Sequence, residues 1–537
     1  MNISRWFFSV IFISVLASCA TQVTPQGGDK DTKPPKVTKT QPENFTTNFE
    51  SKRIEITFDE YFQLKEVNNQ LVVSPPLSKN PETKIKQKTL IVVLDDTLRP
   101  ATTYTMNFGN SIVDNNEGNI LEDFQYVFST GDIIDSLKIS GKVENALDKK
   151  TEKGILVMLY KEENDSLPYK KRPDYFAKTN GKGEFKIINI APGAYKMFAL
   201  KETNADYLYN TPDESIAFSD TLIKANTSGV TLELFPEKTR QHIVRSYSEE
   251  PGKAVVVFAQ PAIDVKYRFL SDSVKSQLAF VESSMNRDTM IFWYKNLNLD
   301  SLTLFFSNGK TIHDTVSIRL FKSEGKAFSK NRSSLKGTFG FKSGELFNLD
   351  KNLVIQFNHP VRESDFSKVN LKEDSVELKN LDISFSDTLK KNLVIKHHWK
   401  EKTLYRLFIP PGAFGDILGL KNDTVMTSFV TRQLTDYGNF SLKMKPHEAG
   451  RQYIVLLVDD KDNIFRTSLI HGDSTLNYEF LEPKTYRIKL IADENRNGEW
   501  DPGNYLRKMQ PEKVLYYPEA ITVRANWDVD ATWKPDL

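Results

Sequence analysis

Apolar and polar residues alternate along this chain in short runs. Arg53–Tyr61 ("RIEITFDEY"), Lys88–Asp96 ("KTLIVVLDD"), Thr103–Asn110 ("TYTMNFGN") and Thr403–Pro411 ("TLYRLFIPP") have a period of two and stop at Asn, Gly, Pro or Asp. That period puts successive side chains on opposite faces of a pleated strand, and the bounding residues are those that turns use. Runs with a helical period are scarce. The pattern predicts an all-β chain of tandem antiparallel β-sandwich modules.

Self-comparison divides the chain further. Arg53–Asp132 and Asn352–Arg432 share one order of features. Each has a strand ending in Phe (Phe58, Phe357) and then a threonine-aromatic strand ("TTYTMNF", "TLYRLFI"). A loop with Gly and Asp follows (Gly109 and Asp114; Gly412 and Asp416), and a strand ending F-x-T closes the segment (Phe128–Thr130; Phe429–Thr431). A second pair consists of "TNGKGEFKIINIAPGAYKMFALKETNADYLYN", ending at Asn210, and "GDSTLNYEFLEPKTYRIKLIADENRNGEWD", ending at Asp501. Tyr195 and Glu202 are seven apart, as are Tyr486 and Asp493, and Pro192 and Pro483 each precede the tyrosine by three. In the first of these, Asn180-Gly181 is expected to supply the positive φ of a tight turn, with Phe185, Ile187 and Tyr195 facing inward.

The first member of each pair is familiar. "DTKPPKVTKTQPENF", leading into "IEITFDE" and ending "YVFSTGD", resembles the bacterial Ig-like domain of surface-layer and Bacteroidota lipoproteins, closely over 34–131 and loosely over 333–433. That resemblance implies an antiparallel sandwich without enzymatic activity. "TNGKGEF" and "APGAY" resemble the carboxypeptidase-regulatory or transthyretin-like β-sandwich. The expected organisation is a signal peptide (1–18), a flexible tether (19–33), an Ig-like domain (34–131), a transthyretin-like sandwich (135–235), a sandwich of unassigned kind (236–332), a second Ig-like domain (333–433) and a second transthyretin-like sandwich (434–537).

The amino end gives the expected address. Trp6–Leu16 is an apolar run of 11 residues behind Arg5, far short of the roughly 20 that span a bilayer. With small residues after it, this is the pattern of a secretory signal. "Leu16-Ala17-Ser18-Cys19" resembles a bacterial lipobox and contains the single cysteine of 537 residues. The resemblance implies that Cys19 becomes the first mature residue and carries a diacylglycerol and a further acyl chain, enough for stable anchoring. No disulfide can then form. The polar, Gly- and Pro-rich segment that follows reads as a tether. The absence of an acidic block directly behind the cysteine favours the periplasmic face of the outer membrane over the cell surface.

Charge narrows the partners. There are 72 basic and 70 acidic residues, mixed along the chain, so a nucleic-acid partner is not expected. The sharpest chemical candidate is Asp493-Glu-Asn495-Arg-Asn497-Gly498-Glu499-Trp-Asp501. Oxygen-bearing side chains at Asp493, Asn495, Asn497, Glu499 and Asp501 around a glycine mimic the first part of a calcium loop. Asn504 stands where a bidentate Glu would complete it, and a plain hairpin turn on Asn497-Gly498 needs no ion. The sister loop keeps Glu202, Asn204, Asp206 and Asn210 but has Tyr207 in place of the glycine. Possible structural calcium is the one cofactor the sequence raises.

Other chemistry is thin. His397 and His398 are adjacent in a strand-like run and so face opposite ways. HExxH, CxxC and G-x-S-x-G are missing from the sequence, and isolated Ser, His and Asp of a sandwich are expected at the surface. Asp95-Asp96 and Asp459-Asp460 lie beside turns. Trp293, Trp399, Trp500, Trp527 and Trp533 could stack on sugars, although core positions are the commoner fate. Two classes survive. One is a non-enzymatic, lipid-anchored envelope protein serving as interaction scaffold or accessory subunit of an outer-membrane complex of transport, assembly or gliding, with an outer-membrane or periplasmic protein partner. The alternative is a carbohydrate-binding envelope lipoprotein.

Overall fold

The computed structural model describes residues 31–537, except 123, 205, 212, 239–240, 271–277, 285, 296–299, 310–312, 321–333, 449 and 537. The expected signal peptide, Cys19 and most of the tether lie outside the described residues. No helix among the described residues is long and apolar enough to cross a membrane. The fold is all-β, as the alternation predicts, and it divides into two compact units.

The first unit takes in residues up to Val143, Glu152–Tyr209 and Phe218–Leu232. Its first module pairs a sheet ordered Val37–Gln41, Arg53–Phe58, Thr89–Val93, Glu82–Lys86 with a sheet ordered Gln125–Ser129, Thr103–Asn107, Val72–Ser74. Alternate residues of these strands (Ile54, Ile56, Phe58, Leu90, Val92, Tyr104, Met106, Phe128) are 0–2% exposed and form one core. The same unit holds a second group of strands, with Leu156–Tyr160 paired to both Tyr175–Lys178 and Ala194–Lys201. These strands cover the outer face of Thr103–Asn107: Asn189 Nδ2 donates to Thr105 Oγ1 (2.8 Å), and the Phe176 amide donates to Ser74 Oγ (3.0 Å). Phe185, Ile187 and Tyr195 are buried, as expected. The turn before them corrects the expectation, because the left-handed residue is Gly183 (φ +74°) and not Asn180 or Gly181. Asn180 Oδ1 accepts from the amides of Lys182 and Glu184. This side-chain closure moves the strained position to the end of the loop.

The second unit takes in Glu144–Thr151, Asn210–Ala217 and Glu233–Leu537. One of its sandwiches pairs the sheet Ile243–Glu250, Lys253–Phe258, Thr289–Tyr294, Leu278–Ser283 with the sheet Lys266–Phe269, Ser301–Ser307, His313–Arg319. The next repeats the first module. Gly337–Phe339, Leu353–Phe357, Asn392–Lys396 and Asp382–Phe385 face a sheet containing Val425–Thr431, Leu404–Ile409 and Asn370–Glu373. The likeness extends to single hydrogen bonds. The Thr102 and Thr403 amides each donate to the hydroxyl 28 residues on, Thr130 and Thr431, at 3.0 Å. The Arg99 and Lys400 amides each donate to a buried tyrosine hydroxyl, Tyr104 and Tyr405. In the last sandwich, strand Asp528–Trp533 closes in parallel on Gly438–Met444, opposite a sheet built on Gln452–Val458 and Thr485–Asp493.

Candidate functional site

Strand Thr485–Asp493 delivers Asp493 into the candidate loop at 1% exposure. Asp493 Oδ1 accepts from the Asn497 amide (3.1 Å), while Oδ2 accepts from the Gly498 amide (2.8 Å) and from Gln452 Nε2 (2.6 Å). The side-chain Nδ2 groups of Asn495 and Asn497 both donate to Asp501 Oδ2, and Lys238 pairs with the other oxygen of Asp501. The Glu499 amide donates to Asn497 Oδ1 (2.8 Å). Arg496 (φ +60°) and Gly498 (φ +78°) carry the left-handed bends, so the expected Asn497-Gly498 turn is shifted by the Asx closure around it.

Glu512 is the member that sequence reading missed. It lies outside the motif, 7% exposed, and its carboxylate accepts the Glu494 amide (2.8 Å) and the Asp501 amide (3.0 Å). Burial, then the neighbouring Asp501 and Asp493 charges, push its carboxyl up to about 7. Asp493, Asp501 and Glu512 are oxygen donors of the type calcium takes. Among the described residues, however, no three His, Cys, Asp or Glu side chains are arranged as a metal site. As built, the loop is closed by its own hydrogen bonds.

The sister loop follows the same path with weaker parts. Tyr207 holds φ +67° where Gly498 stands, and its amide donates to Glu202 Oε1 as that of Gly498 does to Asp493. Asn204 Nδ2 donates to Asp206 Oδ2 (3.1 Å). Tyr195 and Tyr486 reinforce the repeat, each donating its hydroxyl to the carbonyl four residues before it, Ala191 (2.6 Å) and Glu482 (3.0 Å).

The expectation that histidines lie at the surface fails at His359. This residue is 2% exposed; Nδ1 donates to Asp416 Oδ2 (2.7 Å), and Nε2 lies 3.3 Å from Glu250 Oε2. Burial lowers its affinity for a proton, but the hydrogen bonds to Asp416 and Glu250 outweigh it and push the imidazole up to about 9. Trp293 stands edge-on to the ring at 5.6 Å. Self-alignment was the available signal, since it places His359 opposite Glu60 and Asp416 opposite Asp114.

His397 packs against Trp399 and Tyr405, while His398 is exposed beside it. Asp96 accepts from Ser78 and Thr97, and Asp459 from Lys461 and Asn463, which closes turns. Trp293, Trp399 and Trp533 are buried, Trp500 is half-buried with Nε1 donating to the Glu512 carbonyl (2.9 Å), and Trp527 is 58% exposed.

Residues 31–130 match the family model of the bacterial Ig-like domain. No curated protein sequence matches the chain. Among solved structures, the surface-layer protein SbsC matches at 10% identity over 86% of this chain, with a TM-score of 0.15. The match takes in 65% of that protein, so this chain spans just under two thirds of its length. The major pilin subunit BcpA of Bacillus cereus matches at 9% identity and a TM-score of 0.14, covering 74% of this chain and 98% of the pilin. The eight N-terminal Ig domains of the Down syndrome cell adhesion molecule match at 11% identity and a TM-score of 0.15, covering 91% of this chain and 69% of that one.

Proposed function

We propose that this is a non-enzymatic, lipid-anchored envelope protein whose tandem sandwiches act as an interaction scaffold or accessory subunit of an outer-membrane complex. The observation that supports it best is how the chain uses its buried polar groups. Asp114, Asp416, Asp493, Glu512 and His359 are all engaged by groups of the chain itself. Chemistry-bearing residues are thus committed to holding sandwiches together. In this reading Cys19 carries the lipid, the anchor faces the periplasm, and residues 135–235 and 434–537 are transthyretin-like modules.

Affinity purification from membranes in mild detergent tests it, using a C-terminal tag with Cys19→Ser as control. The expected result is one defined barrel or periplasmic assembly, lost or reduced in the variant. Recovery of the lipoprotein alone would overturn the reading. Glycan capture is left with Trp527 as the exposed member of the five tryptophans considered, and a glycan array with Trp527→Ala tests it separately.

A further inference from the structure

The tip of the hairpin between Ile243–Glu250 and Lys253–Phe258 is seated against the repeated module that contains His359. At that tip Gly252 takes φ +87°, a conformation that calls for glycine, and it packs against the Leu418 side chain, whose Cδ2 would lie 2.8 Å from a Cβ placed there. Glu250 reaches His359 from this hairpin, and Asp416 holds the other ring nitrogen from the loop beneath. Around this centre, Lys253 pairs with Glu249 (2.7 Å) and approaches Glu250 (3.9 Å). Lys391, from the His359 module, crosses to Glu282 (2.8 Å), which also accepts from Trp293 Nε1 (2.9 Å). Both lysines lie over the Trp293 ring, at 5.3 and 5.7 Å.

We propose that His359 is a charged latch fastening the sandwich of Ile243–Leu320 to the following Ig-like repeat, and that the latch opens when the histidine loses its proton. Only the imidazolium can donate from both nitrogens, to Asp416 and Glu250 at once. The neutral ring keeps one N–H. Held on Asp416, it turns its bare Nε2 towards Asn358 Nδ2, which lies 3.4 Å away with its Oδ1 fixed by the Lys336 amide. Glu250 then faces an uncharged ring at a desolvated joint and is released. The groups facing this centre are Glu250 and Trp293 from one sandwich and Asp416 and Asn358 from the other, with Lys253, Glu249, Lys391 and Glu282 around them. The raised value of His359 fits this geometry. A histidine held above its ordinary value stabilises fully below that value, persists through neutral pH, and loses its contribution as pH rises through about 9.

Two spin labels on the full chain test this. They replace Ile263 and Val376 (61% and 67% exposed) in a Cys19→Ser background. At neutral pH the distance distribution is expected to be narrow. It should broaden in His359→Gln and in Glu250→Gln while circular dichroism stays unchanged, and His398→Gln should have no effect. Raising wild type to about pH 10 should broaden it as His359→Gln does, and the variant should show no further step. A narrow distribution in both variants would overturn the latch. Broadening in the variants without a pH step in wild type, or an equal step in His359→Gln, would overturn its opening by deprotonation.

Discussion

The first module, residues 31–130, and the module that repeats its fold bend through the same aspartate turn but balance its charge differently. In the first, Asp114 accepts the amides of Asn116, Glu117, Gly118 and Asn119 at 2.7–3.0 Å. Burial works against the charge, but these four donors hold the carboxyl down to about 2. Glu60 beside it is pushed up by burial, then by Asp59 and Asp114. In the second, Asp416 accepts only the Leu418 and Leu420 amides (2.9 and 2.7 Å) and spends its other oxygen on His359. One turn is self-sufficient and the other is a socket. The outer faces differ too. Thr103 and Thr105 are 1% and 6% exposed beneath neighbouring strands, whereas Phe408 and Met426, on the same face of the repeat where the first module has the paired Asn107 and Gln125, are 47% and 64% exposed. A repeat can keep its core and hydrogen-bonded framework while its loops and outer face are reassigned to what lies beside it.

The comparison can be broken by removing each aspartate. Asp416→Ala should have the largest effect, about 4–5 kcal/mol locally, because it leaves a buried imidazolium without its closest partner. Asp114→Ala should cost clearly less, since the four amides it leaves belong to exposed or half-exposed residues and regain water. Hydrogen exchange of Phe414–Asp416 and Ile112–Asp114 reads both. Equal losses confined to each turn would erase the distinction.

The paired 493 and 202 loops predict the next effect. Asp493→Ala, which strands three donors, should cost about 2–3 kcal/mol, and Glu202→Ala about 1 kcal/mol, measured by exchange of the two loops. Adding calcium to wild type should leave the melting temperature unchanged, because both Asp493 oxygens are already engaged. A rise abolished by Asp501→Asn would instead establish an ion there. The smallest effect belongs to Glu60→Gln. Removing a carboxylate crowded by Asp59 and Asp114 should leave stability unchanged or slightly raised, and a clear loss would show that Glu60 has a partner comparable to that of His359.

Much of the core was legible in the chain. Phe58 and Phe357, Phe128 and Phe429, and Tyr104 and Tyr405 were marked by alternation because a strand with one buried face must repeat apolar residues every second position. The loop residues Asp493, Asn495, Asn497 and Asp501 were equally visible, being local in sequence. Glu512 was not, because its place beside Asp501 depends on how a later segment folds back. Gly183, rather than Asn180-Gly181, took the left-handed conformation because a side-chain hydrogen bond decided where the bend fell.

By itself the sequence determined the strand class, the repeats and the commitment of its one cysteine to position 19, since these follow from local periodicity and composition. The tertiary structure alone decided that His359 is buried between Glu250 and Asp416. Glu250 lies 109 residues before the histidine and Asp416 lies 57 after it. Only the packing of two sandwiches brings those charges together in a site dry enough for each to require the others.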